Sequence, residues 1–432
     1  MKTFYKLLAY ALVAGTTNNF IWFALTFWIY LGTKSVISTA FIGGMYLVAT
    51  AGLGLWFGSL VDNHRKKSVM LGSSVTSLAM FTLAFLIYNA TPKEMFGSIT
   101  SPILWIFAFV LMAGVVAGNI IAIAIPTLVT HLVEEKSRDK ANGMFGTVFG
   151  ISFAITSLAS GLILGFFGIF WVLVVAIAFT ATALFVLTLI NIPEKKIIHA
   201  DDGASKKIDI AGTFKVVRAI PGLFALIFFT TFNNFIGGVF MALMDAYGLS
   251  LMSVQLWGAF WGFVSFGFIF GGLFIAKRGL GKNPLKTLFT VNIIIWFVCI
   301  IFPLQPSIIL LAIGSVTWMA LFPFIEATEQ TIVQKVVPPD RQGRVFGFAQ
   351  SIEQAASPLT AFMMGPLAQI FFIPYMTTGG GVDLIGGWFG VGTGRGIALV
   401  FITAGIVGLI ATLIAMRSNA YKLLSNRYLK GK

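Results

Sequence analysis

Apolar residues come in runs of about twenty along this 432-residue chain, separated by short polar gaps. A helix rises about 1.5 Å per residue, so such a run crosses the roughly 30 Å hydrocarbon core of a bilayer. The pattern predicts twelve spanning helices: Leu7–Tyr30, Ile37–Leu60, Ser68–Tyr88, Pro102–Val129, Ala141–Gly165, Phe170–Ile190, Pro221–Tyr247, Ser253–Ile275, Leu285–Phe302, Ser307–Val333, Val345–Phe372 and Gly396–Met416. Met1–Lys6 before the first run resembles the start of a signal peptide. The run is too long for one and has no clear small-residue cleavage site, so it reads as the first span. The longest polar interruption, Pro193–Ala219, follows the sixth helix. It divides the chain into six-helix halves at 1–192 and 220–432, joined by a linker at 193–219 with an amphipathic helix expected over Ile208–Val217. Thr377–Gly396 is Gly-rich and reads as a segment on the side opposite the termini.

Charge placement orients this pattern. All but three of the 29 Lys and Arg fall in the tails and in the gaps on the termini side; Lys34, Lys93 and Arg395 are the exceptions. Positive residues stay on the cytoplasmic side of a membrane, so both termini are expected in the cytoplasm. The net charge of +14 is therefore a topology signal and no nucleic-acid partner is expected. Composition agrees: 58% hydrophobic, 10% charged and a mean hydropathy of +0.93 leave too little charge to cover a soluble surface of this size. Cys299 is the only cysteine, so neither a disulfide framework nor a cysteine metal site is expected. His64, His131 and His199 fall at or beyond helix ends, and no His, Asp and Glu have metal-ligand spacing. No Gly-rich loop ends in Lys followed by Ser or Thr, and the glycines of Gly390–Gly396 follow no strand, so no nucleotide site is expected. No catalytic constellation is visible and no enzymatic activity is expected.

The two halves repeat. Asn18-Asn19-Phe20-Ile21 in the first helix recurs as Asn233-Asn234-Phe235-Ile236 in the seventh, and Thr127-Leu128-Val129 in the fourth as Thr331-Ile332-Val333 in the tenth. In the second alignment Lys140 falls on Arg344 and Gly143 on Gly347. Between helices two and three stands Gly58-Ser59-Leu60-Val61-Asp62-Asn63-His64-Arg65-Lys66-Lys67. This loop resembles the G-x-L-x-D-R-x-G-R-R/K signature of the major facilitator superfamily, with Asn63 at the usual Arg and Arg65, preceded by His64, where Gly is frequent. The second-half copy, Gly272 to Arg278, lacks the acid. The resemblance implies an all-α integral membrane protein of the major facilitator fold, with twelve transmembrane helices as two six-helix halves related by a pseudo-twofold axis. It also implies a small-molecule substrate bound between the halves near mid-membrane. By the same resemblance Gly58, Asp62, Arg65 and Lys66 form a conformational latch, in which Asp62 meets the N-terminal end of helix eleven.

Within the superfamily, the chain is similar to the multidrug and macrolide efflux branch through Arg138 to Gly143, Pro338 to Gly347, and Ala356-Ser357-Pro358 with Gly365-Pro366. It departs from many drug:proton antiporters in having no Arg within helix four and only scattered glycines (Gly146, Gly150, Gly161, Gly165) in helix five. The branch resemblance implies a monomeric exporter of amphipathic cations in a bacterial cytoplasmic membrane. It would work by alternating access, need no cofactor, and draw on a proton gradient. An exporter of one physiological compound, such as a siderophore, a lipid-like metabolite or a single antibiotic class, is the alternative.

Ionisable groups inside a span are costly and need a reason. Asp245, Glu326, Glu329 and Glu353 qualify by position and are the candidates for proton or cation coupling, with Glu326 and Glu353 foremost. Glu326 and Glu329, three apart, share a helix face. Each could instead be a hydrogen-bonded structural acid. Asn18, Asn19, Asn119, Asn233, Asn234 and Gln350 could bind substrate or lock helices together. Trp22, Phe23, Phe235 and Trp318 lie near mid-span and could line an apolar pocket for aromatic cations, or simply pack.

Overall fold

The computed structural model describes residues 2–33, 36–193 and 210–430, and among these the chain is helical with no strand. In order, the helices are α1 (Lys2–Thr33), α2 (Val36–Asn63), α3 (Lys66–Ala90), α4 (Pro102–Gly118), α5 (Ile121–Leu132), α6 (Arg138–Leu189), α7 (Ile210–Ala219), α8 (Leu223–Leu251), α9 (Val254–Arg278), α10 (Pro284–Ile301), α11 (Ile308–Val336), α12 (Gln342–Leu367), α13 (Ile373–Thr377), α14 (Gly380–Phe389), α15 (Thr393–Arg417) and α16 (Asn419–Lys430). Eleven helical stretches are long and apolar enough to cross a membrane. One of them contains α6, whose 52 residues would reach about 78 Å if straight, more than twice a bilayer core. It is not straight: Gly168 (φ 78°, ψ 177°) breaks it into two crossings, making twelve. Only Gly takes that left-handed conformation without a Cβ penalty.

The expected helices are present, with three physical refinements. The fourth crossing is interrupted at Asn119–Ile120, where Asn119 N–H bonds to Val116 O and Ala122 N–H to Asn119 O in tightened three-residue turns. The eleventh continues from α12 through a π-helical stretch, Ala368–Phe372, into α13. Pro366 and Pro374 flank that stretch, and each removes a helix N–H. The Gly-rich segment holds the helix α14. Arg395 pins its far end, stacking on Phe389 and donating to the carbonyls of Pro303 (2.8 Å) and Leu304 (2.9 Å). The linker reading falls partly on 194–209, including Lys195 and His199, which lie outside the described residues. Its helix is α7, with Thr213 and Val217 buried.

Within the first half α1 lies along the first stretch of α6; within the second, α8 lies along α12. Between the halves α2 packs on α12 and α6 on α9. Exchanging α2 for α9 and α12 for α6 maps one seam onto the other, as a pseudo-twofold axis requires. Both seams are built on glycine, which lets backbones approach closely. A Cβ on Gly54 would lie 2.9 Å from Gly347 O, and one on Gly343 2.8 Å from Gly58 O. On the other seam a Cβ on Gly143 would lie 2.8 Å from Ala276 N, and one on Gly150 2.8 Å from Phe268 Cβ.

Candidate functional site

The glycine seams bring the ends of α2 and α12 together on the face that carries both termini. Asp62, in the last turn of α2, accepts from the backbone N–H of Gly343 (2.7 Å) and of Arg344 (2.8 Å). These are first-turn donors of α12, which have no partner within the helix. The positive end of the helix dipole favours an anion there. Arg344 completes the contact, with Nε 4.0 Å from Asp62 Oδ2 and Nη2 donating to Asn63 Oδ1 at 3.1 Å. Asn63, a departure from the signature, is thus used. Lys66 is buried beside this cluster, whereas Arg65 is exposed and takes no part.

The other seam carries a counterpart with its polarity reversed. The second-half loop lacks an acid, but Asp139 in the first turn of α6 accepts from Leu280 N–H at 2.9 Å. The α9–α10 turn presents that N–H because Gly279 adopts φ 74°, and a Cβ there would strike the Asp139 carboxylate. Between the two contacts a buried amide cluster plugs the middle. Asn142 donates to Thr331 Oγ1 (2.8 Å) and Gln334 Oε1 (3.0 Å). Gln334 donates to Pro126 O (2.9 Å), and Gln342 donates to Gln334 O (3.1 Å). Arg138 Nη1 donates to Gln334 O at 2.9 Å, and Lys335 pairs with Glu135 at 2.8 Å. The termini face is closed.

Above this plug lies a central cavity of about 390 Å³ bounded by both halves. Glu326 and Glu329 of α11 and Glu353 of α12 all line it, as do Gln330, Gln350 and Gln354. Glu353 accepts from Thr230 of α8 at 2.5 Å, and Glu329 lines the same wall beside it. The opposite wall holds Asn18, Asn19 and Asn119 with Tyr46 and Thr50. Asn119 is its hub: it accepts from Asn18 (2.9 Å) and donates to Tyr46 Oη (3.0 Å) and Thr50 Oγ1 (3.3 Å). The interruption at Asn119 sets this side chain against α1 and α2. Among the described residues lining the cavity there is no Lys or Arg.

Other candidates lie elsewhere. Asp245 is exposed toward the opposite face and accepts from Trp257 Nε1 at 2.9 Å, fastening the α8–α9 turn. Asn233 donates to Asn292 Oδ1 (2.9 Å), and Asn234 O accepts from Ser357, so this pair clips α8 to α10 and α12. Trp22 packs on Tyr46, Phe23 on Phe153, Phe235 on Phe232 and Trp318 on Phe322; none of the four lines the central cavity. Sequence reasoning missed Tyr46, Thr50, Asp139, Asn142, Gln334 and Gln342. Their signal was faint, an uncharged polar residue or a loop acid near a helix end.

Twelve crossings in two exchange-related halves around one polar cavity define a membrane transporter. The Major Facilitator Superfamily model matches residues 7–361, and the chain belongs to that family. No curated protein sequence matches it significantly. Among solved structures it is similar to a bacterial homologue of the iron transporter ferroportin in an outward-facing state. That match has a TM-score of 0.68 at 13% identity and covers 97% of this chain and 100% of that one. It is also similar to the human organic anion transporter MFSD10 (TETRAN), with TM-score 0.65, 12% identity, and 95% and 99% covered. The proton:xylose symporter XylE is a third, with TM-score 0.65, 11% identity, and 96% and 95% covered. At such identities the likeness is one of fold.

Proposed function

We propose that this protein exports amphipathic cations in exchange for protons, as a monomer in a bacterial cytoplasmic membrane with both termini in the cytoplasm. The observation that carries the reading is the trio Glu326, Glu329 and Glu353 on one wall of a cavity whose described lining holds no cation. A cation entering that cavity meets carboxylates with no built-in counter-ion. A proton entering meets the same groups, so the two ligands compete for one set of oxygens, as exchange requires. Carboxylates gathered on one wall repel one another unless one of them is protonated, which makes the trio a place to hold a proton. Asp62, Gly58 and Lys66 act with Arg344 as the cytoplasmic latch, and the closed termini face corresponds to an outward-facing state.

The test is ethidium transport in proteoliposomes under an imposed proton gradient, against protein-free vesicles. Uphill movement that collapses with a protonophore is the expected result, and the Glu326→Gln/Glu353→Gln double variant abolishes it. Unchanged uphill transport by that variant removes the carboxyls from coupling. A second reading, export of one polar cation, is favoured by the amides on both walls: Asn18, Asn19 and Asn119 on one, Gln330, Gln350 and Gln354 on the other. Competition separates the two: a broad set of cations inhibits a multidrug carrier, a single compound class inhibits the other.

A further inference from the structure

A second cavity, of about 670 Å³, runs along the outside of the first half between α2 and α4, with α3 as its floor. It shares no lining residue with the central cavity. Its walls are apolar and lipid-facing: Leu53 and Trp56 of α2, Gly72 of α3, and Phe109 and Ala113 of α4. Along α2 it extends from Met45 to Leu60, about 22 Å at 1.5 Å per residue. That exceeds the roughly 15 Å of one leaflet's hydrocarbon.

One end is polar. His64 and Ser68 line the groove where it meets the termini face. Arg65, the extended N-cap residue of α3, stands in the chain between His64 and Ser68, which line this end of the groove, and is itself just outside the lining. The Asp62 carboxylate is occupied by α12 and Arg344, so Arg65 remains exposed, with no ion-pair or hydrogen-bond partner for its side chain among the described residues. An apolar channel longer than one leaflet's hydrocarbon, ending at a serine hydroxyl with an exposed guanidinium beside it, is complementary to one molecular shape: an acyl chain carrying an anionic head.

We propose that this groove is a binding site for an anionic phospholipid, with an acyl chain between α2 and α4 and the phosphate at Arg65 and Ser68. The lipid belongs to the leaflet on the termini side and stays outside the transport path.

Native mass spectrometry of the purified full chain tests this, titrated with phosphatidylglycerol and with phosphatidylcholine of the same acyl chains. The wild type retains phosphatidylglycerol at least about five-fold better, the size of roughly one basic residue at a membrane surface. Arg65→Glu and the milder Arg65→Gln both remove that preference. Gly72→Trp, at a position where an added Cβ meets nothing within 4 Å, fills the groove and lowers retention of phosphatidylglycerol. Matched elution and melting profiles establish that the variants are folded. Equal retention of the two lipids by the wild type, or a preference that survives both Arg65 variants, overturns the proposal. So does retention untouched by Gly72→Trp. Displacement of the lipid by inorganic phosphate alone would reduce the site to an anion contact, and displacement by ethidium would make the groove a substrate vestibule; either result also overturns it.

Discussion

Asp62 holds two otherwise orphaned N–H groups in a buried, charge-assisted contact. Losing such an acceptor costs about 1–3 kcal/mol, or roughly 5- to 150-fold in the population of the closed state. Asp62→Asn therefore lowers the initial transport rate at least about five-fold, with normal expression, measured in proteoliposomes. Full transport by that variant would remove Asp62 from the latch. Asp139→Ala loses a single cross-seam acceptor, for Leu280, and has a smaller effect of the same sign. The two acids were not equally legible in the sequence. Asp62 sits in a recognisable loop pattern, whereas Asp139 serves a seam whose own loop has lost its acid, and only folding brings the two together. The cavity carboxyls were legible because a charge within an apolar run is conspicuous. Asn142, Gln334 and Gln342 were not, because an amide near a helix end looks the same whether it meets water or another amide.

Helix positions were legible for the same reason as the carboxyls: about twenty apolar residues leave little choice in a bilayer. The departures are where chain conformation, not hydropathy, decides. The interruption of α4 and α5 at Asn119 depends on side-chain partners in α1 and α2. α14 and α16 are short helices, the first hidden by its four glycines and the second by its polar content. At Gly168, Ala substitution puts a Cβ into open space, so its cost is purely the left-handed backbone, about 1–2 kcal/mol. Gly168→Ala lowers the melting temperature in a scanning experiment; an unchanged melting profile would mean that the break is not held by glycine. The seams respond to volume instead. A side chain at Gly347 overlaps the α2 backbone, a misfit of about 1–3 kcal/mol. The native thiol, Cys299, is buried. In a Cys299→Ser background with a cysteine at buried Thr331, Gly347→Val raises the rate of maleimide labelling about ten-fold. Equal rates would show that the seam opens without regard to this contact.

Closure of the termini face is a property of the whole molecule, and α16 joins it from outside the bundle. Tyr421 packs on Phe289 (5.0 Å between centroids), Leu424 is buried, and the Tyr428 ring meets Lys335, the residue that pairs with Glu135 across the seam. Burial, with Asp139 and Glu135 nearby, pushes the Tyr428 phenol up to about 12, so it stays neutral across the physiological range. Deleting 419–432 speeds labelling of the Thr331 cysteine; an unaltered rate would show α16 to be an ornament of the second half. The three carboxylates that bridge the seams, Asp62, Glu135 and Asp139, all belong to the first half, and the groups they meet belong to the second. The halves are alike in shape but unlike in charge along their meeting edges, like plug and socket. In the alignment that places Lys140 on Arg344, Asp139 falls on Gly343, so two copies of the first half brought together in the same way would set Asp62 against Asp139, and the closed face requires one half of each kind.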